Sequence, residues 1–393
     1  MKCFITSLFF LIPIHCWAQS PTAIPSSEID WATKRAQLGH EDKYRILVDK
    51  VWSKSTDWLL TEEHMEEIQE ASFNVVVPRM GAEDPDRVRR DAQLAADHGL
   101  FYMAWMRGTK KPVEGPKLVW EHGLVQDLCS PNSDELWSWL SDQILMHVKI
   151  STEIPSVIGT FLDFENYEPD FPDVDRPHCY PISYDEKILG EFAKFQGVEI
   201  PDVSPEARAP WLEEHGLKDS FRDFQIDSWR NRCRELREKI DAINPRFQLI
   251  IYPPMGTDFI EEAIYPEWGT REAPLILAEY WTYGRKGWIS HDEAMKKNRH
   301  ILVERMAFVR NRGVYHHYIG GVDPMVTGAD PEFTAKNAAM IAEISDGYWN
   351  FYEGPTYGDP DHDLYLDWLK KANADIISGS YELYWQDRET PDL

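Results

Sequence analysis

Hydrophobic positions along the chain form short apolar runs that alternate eight times with longer amphipathic segments. The short runs are rich in β-branched and aromatic residues and have the length of buried strands, whereas the longer segments repeat apolar residues with the helical period. The predicted strands cover residues 46–51, 73–78, 100–106, 157–163, 247–252, 275–279, 314–319 and 348–352. The predicted helices cover residues 61–72, 84–98, 133–148, 185–196, 219–243, 258–264, 292–312, 331–344 and 361–377. Thr61, Ser290 and Asp330 are the expected helix caps.

Eight strand–helix units in succession predict an α/β fold, a (β/α)₈ TIM barrel with long loops after strands three and four. A doubly wound open sheet is the rival, and it usually carries a glycine-rich turn after its first strand. Here the first strand runs into Val48-Asp49-Lys50-Val51-Trp52, which has no such turn. We therefore expect a signal segment over residues 1–18, a loosely structured lead-in over 19–43, one barrel over 44–379 and a tail over 380–393.

The fourth predicted strand ends in two acids, Asp163 and Glu165, two residues apart. Side chains alternate across a strand, so these two share a face, and Leu162 and Phe164 point the other way. An apolar strand that ends in a same-face carboxylate pair is typical of an acid/base site. The alternatives are the start of a solvated loop or an ion-pair network with a neighbouring arginine.

In barrels of this class, the active site lies at the C-terminal ends of the strands. The residues predicted there are carboxylates, aromatic rings and a few cations: Lys50, Trp52, Arg79, Trp105, Arg107, Asp163, Glu165, Asn166, Tyr167, Tyr252, Glu279, Tyr280, Trp281, His316, Tyr318, Trp349 and Glu353. The set contains no serine or cysteine in a nucleophile elbow and no phosphate loop. Aromatic faces beside acids suit sugar rings, whose C–H groups stack while the hydroxyls bind carboxylates.

Hydrolysis of a glycosidic bond takes two carboxyl groups, about 5–5.5 Å apart for retention of the anomer and about 6.5–9.5 Å for inversion. The candidates are Asp163, Glu165 and Glu279, the last at the end of an otherwise apolar strand. The long loops at residues 107–132 and 167–218 belong to the same predicted face and are long enough to wall a cleft for a polymer.

The remaining polar candidates leave alternatives open. Arg79 and Arg107 either bind a sulfate or carboxylate on an acidic glycan or pair with the acids of the site. His316 and His317 invite a metal interpretation, but adjacent strand residues face opposite ways and no His/Cys cluster has ligand spacing. We therefore predict no metal and no cofactor.

Charge limits the partners. The 393-residue chain has a formal net charge of −26 and a pI of about 4.9. A surface this acidic argues against nucleic acid and against anionic membranes, although a local basic cleft is compatible with it. The 16 Trp and 17 Tyr residues support carbohydrate binding only mildly, because many belong to the core.

The N-terminus resembles a secretory signal. Lys2 precedes an apolar stretch over residues 4–14 that is too short for a stable membrane span, and small residues predict cleavage before Gln19. We expect export, either periplasmic or secreted, without a lipid anchor or a membrane span. Cys129 and Cys179 fall in the two long loops and are predicted to pair, whereas Cys233 is predicted to be a buried thiol.

The stretch Leu162-Asp163-Phe164-Glu165-Asn166-Tyr167-Glu168-Pro169 resembles the strand-four motif of chitinases and hyaluronidases. In those families the second acid protonates the leaving oxygen, the first orients the reacting group, and an N-acetyl group of the substrate is the nucleophile. The resemblance implies that Glu165 is the acid and Asp163 its partner. It also places Tyr280 and Trp349 on the floor of the sugar site.

The chain also resembles retaining α-glycosidases such as α-galactosidase and fucan-hydrolase barrels, whose nucleophile lies on strand four and whose acid/base lies on strand six. Asp163 and Glu279 fit those positions. We favour this interpretation because it uses Glu279, and expect an exported two-carboxylate retaining glycoside hydrolase acting on a polysaccharide or oligosaccharide, an anionic one included. The alternatives are a substrate-assisted N-acetylhexosaminidase or hyaluronidase-like hydrolase, a non-catalytic glycan-binding barrel, and a metal-dependent hydrolase.

Overall fold

The computed structural model describes residues 29–108, 114–166, 181–283, 291–324 and 329–383. The predicted signal segment, Tyr167, Cys179 and the predicted cap Ser290 lie outside these ranges. None of the helices in the described part of the chain combines the length and hydropathy that a membrane span requires.

Within the described residues, eight parallel strands close into a barrel and two more form an antiparallel hairpin. The strands are β1 Tyr44–Asp49, β2 Val75–Pro78, β3 Phe101–Arg107, β4 Lys117–Val119, β5 Val125–Cys129, β6 Val157–Asp163, β7 Gln248–Tyr252, β8 Leu275–Glu279, β9 His316–Val322 and β10 Gly347–Tyr352. Around the barrel the order is β1-β10-β9-β8-β7-β6-β3-β2. The predicted (β/α)₈ barrel is confirmed.

Most helices cover the outside of this barrel. The described helices are α1 Trp31–Gln37, α2 Trp52–Ser55, α3 Glu62–Glu70, α4 Pro85–Asp97, α5 Asp134–Glu153, α6 Glu186–Gln196, α7 Pro205–Glu214, α8 Lys218–Asp241, α9 Tyr265–Trp268, α10 His291–Arg310, α11 Pro331–Ile344 and α12 Pro360–Ser378. A π-helical turn, Phe259–Ile264, precedes α9. The predicted caps Thr61 and Asp330 accept hydrogen bonds from the backbone N–H groups of His64 and Phe333, which satisfies donors that the first helical turn leaves free.

Apolar side chains fill two layers, one inside the barrel and one between the barrel and the helices. Strand alternation decides the layer of each residue. On β6, Phe161 lies in the inner layer, whereas Leu162 and Phe164 lie in the outer layer. The predicted orientation of the β6 end is therefore confirmed, and it puts Asp163 on the inner face.

Strand β9 extends beyond the predicted run, which ended at Ile319. Gly320 and Gly321 belong to the strand, because neighbouring side chains occupy the space where their side chains would lie. A Cβ on Gly320 would lie 2.6 Å from Ile341, and one on Gly321 would lie 2.5 Å from the Tyr283 ring. The C-terminal end of this strand is therefore Val322, and His316 begins the strand at the opposite face of the barrel.

The lead-in is not loosely structured where it is described. Asp30 caps α1 by accepting a hydrogen bond from the Thr33 N–H at 3.1 Å. Trp31 packs edge-on against Phe101 with ring centroids 5.3 Å apart, and Arg35 hydrogen-bonds Gln248 at the start of β7. The helix therefore packs against the N-terminal end of the barrel, which the sequence interpretation missed.

The long loops after β3 and β6 fold together into a small lobe at the C-terminal end of the barrel. We call the hairpin β4–β5 together with residues 181–221 the lobe. Its own apolar cluster includes Val119, Phe192, Leu212 and Phe221. The Tyr184 N–H donates to the Val119 carbonyl at 2.9 Å, which joins the two loops. The predicted proximity of these loops is confirmed.

Candidate active site

The acid pair at the end of β6 has one buried and one accessible member. Asp163 is the last residue of β6, and its side chain is only 2% exposed, whereas that of Glu165 is 15% exposed. The Asp163 Oδ1 atom accepts a hydrogen bond from the Glu165 N–H at 2.8 Å, which fixes the turn out of the strand. Glu165 is therefore the carboxyl that a molecule in the barrel mouth can touch, with Asp163 beneath it.

Arg107 bridges the two acids from the neighbouring strand. It stands beside Asp163 in the β3–β6 register. Its Nε lies 3.0 Å from Asp163 Oδ2, and its Nη2 lies 3.2 Å from Glu165 Oε2. Of the two roles considered for Arg107, the structure shows the ion pair with the acids of the site. A fork of this kind holds both carboxyl groups in a fixed orientation.

The electrostatics of the pair are set by burial. Burial raises the pKa of Asp163 to about 7, with a smaller rise from the Glu165 charge, against the lowering effect of the Arg107 and Arg79 guanidinium groups. Asp163 therefore keeps its proton up to about neutral pH, so the carboxyl beneath Glu165 is mostly uncharged below that pH.

Two tyrosines extend this network across the mouth. The Tyr252 hydroxyl at the end of β7 donates to Glu165 Oε1 at 3.3 Å. The Tyr283 hydroxyl donates in turn to the Tyr252 oxygen at 3.3 Å. Tyr283 was missed by the sequence analysis because it lies in the loop after β8, four residues beyond the strand. The aromatic cluster that begins at Tyr280 was the available signal.

Aromatic rings form the floor and part of the wall around the pair. Trp105 stacks on Phe161 and on Phe351, with ring centroids 4.4 and 5.6 Å apart. Trp349 packs against the Tyr252 ring at 5.1 Å. Phe351 was not predicted, although it stands two residues after Trp349 and shares its face. Tyr280, which is partly exposed, packs edge-on against Tyr252 at 6.2 Å and lines the mouth.

The two other cations of the mouth, Lys50 and Arg79, differ in their contacts. Lys50 forms an ion pair with Glu353. The Arg79 guanidinium lies 4.5 Å from the centroid of the Trp105 ring and 5.7 Å from that of Phe351. In the part of the chain that the structure describes, the Arg79 side chain has no ion pair and no hydrogen bond. Its N–H donors are therefore available to a molecule in the mouth.

Glu279 does not join the pair. Leu275, Leu277 and Glu279 face the outer layer, whereas Ile276 and Ala278 face the interior. The Glu279 side chain is fully buried. Its Oε1 accepts from the backbone N–H groups of Tyr280 and Trp281 at 2.8 and 2.9 Å. Its Oε2 accepts from the Tyr318 hydroxyl at 2.6 Å and from Arg305. These donors occupy both oxygens, so this carboxylate supports the packing of α10 on the barrel.

Several other predicted site residues also lie away from the mouth. Trp52 is buried in the outer layer, where its indole N–H donates to Glu67 at 2.7 Å. Tyr318 is held outside the barrel by its hydrogen bond to Glu279. Trp281 stacks on Tyr280 with ring centroids 5.2 Å apart and lies beside Arg305. The predicted placement of His316 at the C-terminal face was wrong, because His316 is the first residue of β9 and lies at the opposite end of the barrel.

Asn166 connects the mouth to the lobe. Its side chain is buried, and its Oδ1 accepts a hydrogen bond from the Gln126 amide at 3.4 Å. Gln126 lies on β5 and was not predicted, because a lone glutamine in a loop carries no sequence signal.

The structure bears on the histidine and cysteine residues that the sequence analysis considered. In the described ranges, no group of three or more His, Cys, Asp and Glu side chains is placed to hold a metal ion. His317 packs against His40 and Tyr44 at the N-terminal end of the barrel. Cys233 is buried, as predicted. Since Cys179 lies outside the described residues, its pairing with Cys129 stays a prediction.

Comparisons with known proteins support the fold. No family model matches the sequence, and no curated protein matches it. Solved structures of β-galactosidases are similar: that from Marinomonas ef1 at 13% identity and TM-score 0.51, that from Halorubrum lacusprofundi at 13% and 0.51, and that from Bacillus circulans sp. alkalophilus at 12% and 0.52. They cover 84%, 85% and 85% of this chain, which spans 59%, 57% and 56% of theirs. At this identity the likeness is one of fold alone.

Proposed function

We propose that the protein is a glycoside hydrolase whose proton donor is Glu165. The observation that carries this proposal is the pair itself. A buried and an accessible carboxyl share one guanidinium at the C-terminal mouth of a barrel, surrounded by aromatic rings. The likeness in fold to three β-galactosidases agrees with it. Catalysis at this end of the barrel is the general rule for the fold.

Of the mechanisms considered, the geometry favours the substrate-assisted one. The strand-four/strand-six pair would need Glu279 in the mouth, and that residue is enclosed in the outer layer by four hydrogen bonds. Asp163 and Glu165 remain. In the proposed first step, the Glu165 carboxyl gives its proton to the glycosidic oxygen as the C1–O bond breaks. The acetamido oxygen of the same sugar bonds to C1, which gives an oxazolinium ion, and Asp163 supports Glu165 from beneath through the Glu165 N–H and the shared Arg107.

In the second step, water attacks C1 and gives a proton to Glu165, which restores the acid and the acetamido group. Arg107 and Tyr252 act as positioning residues, because they hold Glu165 from two sides. Tyr280 lines the site beside Tyr252, and the fully buried Trp349 packs against the Tyr252 ring and fixes its position. Retention of the anomer follows from two displacements at one carbon.

We also propose that the substrate carries an acidic group, a sulfate or a carboxylate, and that Arg79 binds it. Arg107 is engaged by the acids of the site, whereas the Arg79 guanidinium stacks on Trp105. A guanidinium presents paired donors that match such anions in a bidentate geometry. Export remains part of the proposal, and its support is the apolar N-terminal sequence.

The test is product release from N-acetylated, neutral and sulfated polysaccharides, repeated with a bicyclic thiazoline that mimics the oxazolinium intermediate. We expect release only from N-acetylated glycans and competitive inhibition by the thiazoline. Release from glycans without an acetamido group, or indifference to the thiazoline, would overturn the substrate-assisted mechanism. No release from any polymer would favour a non-catalytic glycan-binding protein.

A further inference from the structure

A groove opens beside the barrel mouth, between the lobe and the loop that follows β7. Its volume is about 730 Å³, and it is walled by residues 120–122 of the hairpin turn, the first turn of α8 and residues 256–259. All of these elements lie at the C-terminal end of the barrel, the end that carries Glu165. A concavity of this size is within the range of small-ligand sites.

Both walls of the groove are tied directly to the candidate active site. One wall begins four residues after Tyr252, whose hydroxyl contacts Glu165. In the other wall, the Trp120 indole N–H donates to Gln126 Oε1 at 3.0 Å, and the Gln126 amide donates to Asn166 Oδ1 at 3.4 Å. The groove therefore lies on the side of the mouth that Asn166 and the loop after Tyr252 form.

Ion pairs hold the walls in place. Lys218 on α8 lies 2.7 Å from Glu121 of the hairpin turn. Arg222, one helical turn further along α8, lies 2.8 Å from Asp258 of the opposite wall. These pairs cross-link three elements, so the groove exists before any ligand arrives.

The hairpin turn is also fixed by a close approach to α7. Gly123 has a φ of +93°, and a Cβ there would lie 2.5 Å from the Glu206 backbone. Only glycine satisfies both requirements, because other residues are strained at this φ and would clash. The turn is therefore seated against the first turn of α7.

The chemistry of the groove suits uncharged, hydroxyl-rich units. Its two cations are already neutralised by acids of the facing walls, in contrast to Arg79 in the mouth. Paired carboxylate and guanidinium groups still have free edges for sugar hydroxyls. Ile182, Tyr184 and Phe259 supply an apolar lining.

We propose that this groove binds sugar units of the substrate chain beyond those held in the mouth, so that the enzyme acts on extended glycans. This inference rests on the proposed function. It adds a second binding region, separate from Arg79 and from the acid pair, that senses chain length.

A matched pair of variants tests it. Asp219 is exposed and lines the groove, whereas Ser220 is exposed beside it and does not. Asp219→Trp places a large ring in the groove, and Ser220→Trp places the same ring outside it. Each is combined with Glu165→Gln, so that binding is measured without cleavage. The probes are N-acetylglucosamine oligomers and hyaluronan oligosaccharides of two to eight sugar units. Calorimetry measures the affinity of each variant for each length.

We expect the affinity of Glu165→Gln for at least one series to rise about tenfold or more with length, or about 1.4 kcal/mol. Asp219→Trp should remove that rise and leave binding of the shortest ligand unchanged, and Ser220→Trp should change neither. Equal affinity at all lengths, a rise that survives Asp219→Trp, or no binding by either series would overturn the inference. If binding depends on length but the unmodified protein releases no product from any glycan, the proposed hydrolysis is contradicted and the binding role of the groove is not.

Discussion

At the scale of single residues, the candidate site depends on which face of its strand each acid occupies. Asp163 and Glu165 face the interior, whereas Glu279 faces the helices. The β8 sequence Leu275-Ile276-Leu277-Ala278-Glu279 is apolar on both faces, as is usual for buried parallel strands. No alternation therefore marks the inner face, and the orientation of Glu279 was not readable from the sequence.

Arg79 is the residue through which we expect charge selectivity. Replacing it with Gln removes the bidentate donors but keeps a polar side chain in the mouth. We predict that KM for sulfated or uronate-containing glycans rises about tenfold or more, since a charge-assisted contact is worth about 1.5–3 kcal/mol. Arg79→Lys should recover part of that loss. Steady-state kinetics on charged and neutral substrates check this, and equal losses on both would contradict it.

Asp163 should make stability depend on pH. Its pKa is raised to about 7 by burial, whereas an unfolded Asp titrates near 4. Between these values the folded state holds more protons than the unfolded state, so the free energy of unfolding falls as pH rises from about 4 to about 7. Asp163→Asn lacks this proton. We predict that the free energy of unfolding of the variant, relative to that of the unmodified protein, increases by about 2–4 kcal/mol as the pH is raised from 4 to 8. Denaturant titrations at each pH measure the difference, and a constant offset would contradict the prediction.

At the scale of elements, strand and helix positions were predictable because the apolar runs and caps are local signals. The bounds of β6 and β8 agree with the expected runs, and Thr61 and Asp330 cap helices as predicted. The end of β9 was missed because its two glycines are required by Ile341 and Tyr283, which are distant in sequence. The proximity of the two long loops was predicted, but their shared apolar cluster was missed, because its side chains are distant in sequence.

The lobe should unfold more easily than the barrel when its own core is cut. Phe192 is fully buried in the lobe and packs against Phe221 with ring centroids 5.2 Å apart. Phe192→Ala should cost the lobe about 3–5 kcal/mol and leave the barrel strands protected. Phe195 on the same helix is 70% exposed, so Phe195→Ala is the matched control with a much smaller effect. Hydrogen exchange resolved by segment measures both, and equal loss of protection in lobe and barrel would contradict a separate lobe core.

At the scale of the whole molecule, net charge and local charge act in opposite directions. The chain has a formal net charge of −26, and yet Arg79 is a cation without an ion pair among the described residues of the mouth. Long-range repulsion should slow the approach of an anionic polymer, and the short Arg79 contact should hold it once bound. Screening acts mainly on the long-range part, because the Debye length falls from about 30 Å at 0.01 M to about 8 Å at 0.15 M salt.

We therefore predict that KM for an anionic polysaccharide decreases as salt rises over that range, while KM for a neutral oligosaccharide stays constant. The same enzyme preparation serves for both substrates. A KM for the anionic polymer that increases with salt would show that a basic surface attracts the substrate, and would contradict this account.

The most direct test of the central claim compares kcat for the unmodified protein, Glu165→Gln and Glu279→Gln on a polysaccharide that the unmodified protein cleaves, with folding verified for each. Loss of the general acid should lower kcat about 10²–10⁴-fold in Glu165→Gln. Glu279→Gln should keep kcat within about tenfold and lose about 1–3 kcal/mol of stability, because Arg305 loses its charged partner. A folded Glu279→Gln variant without activity, beside an active Glu165→Gln variant, would contradict the assignment of the acid pair.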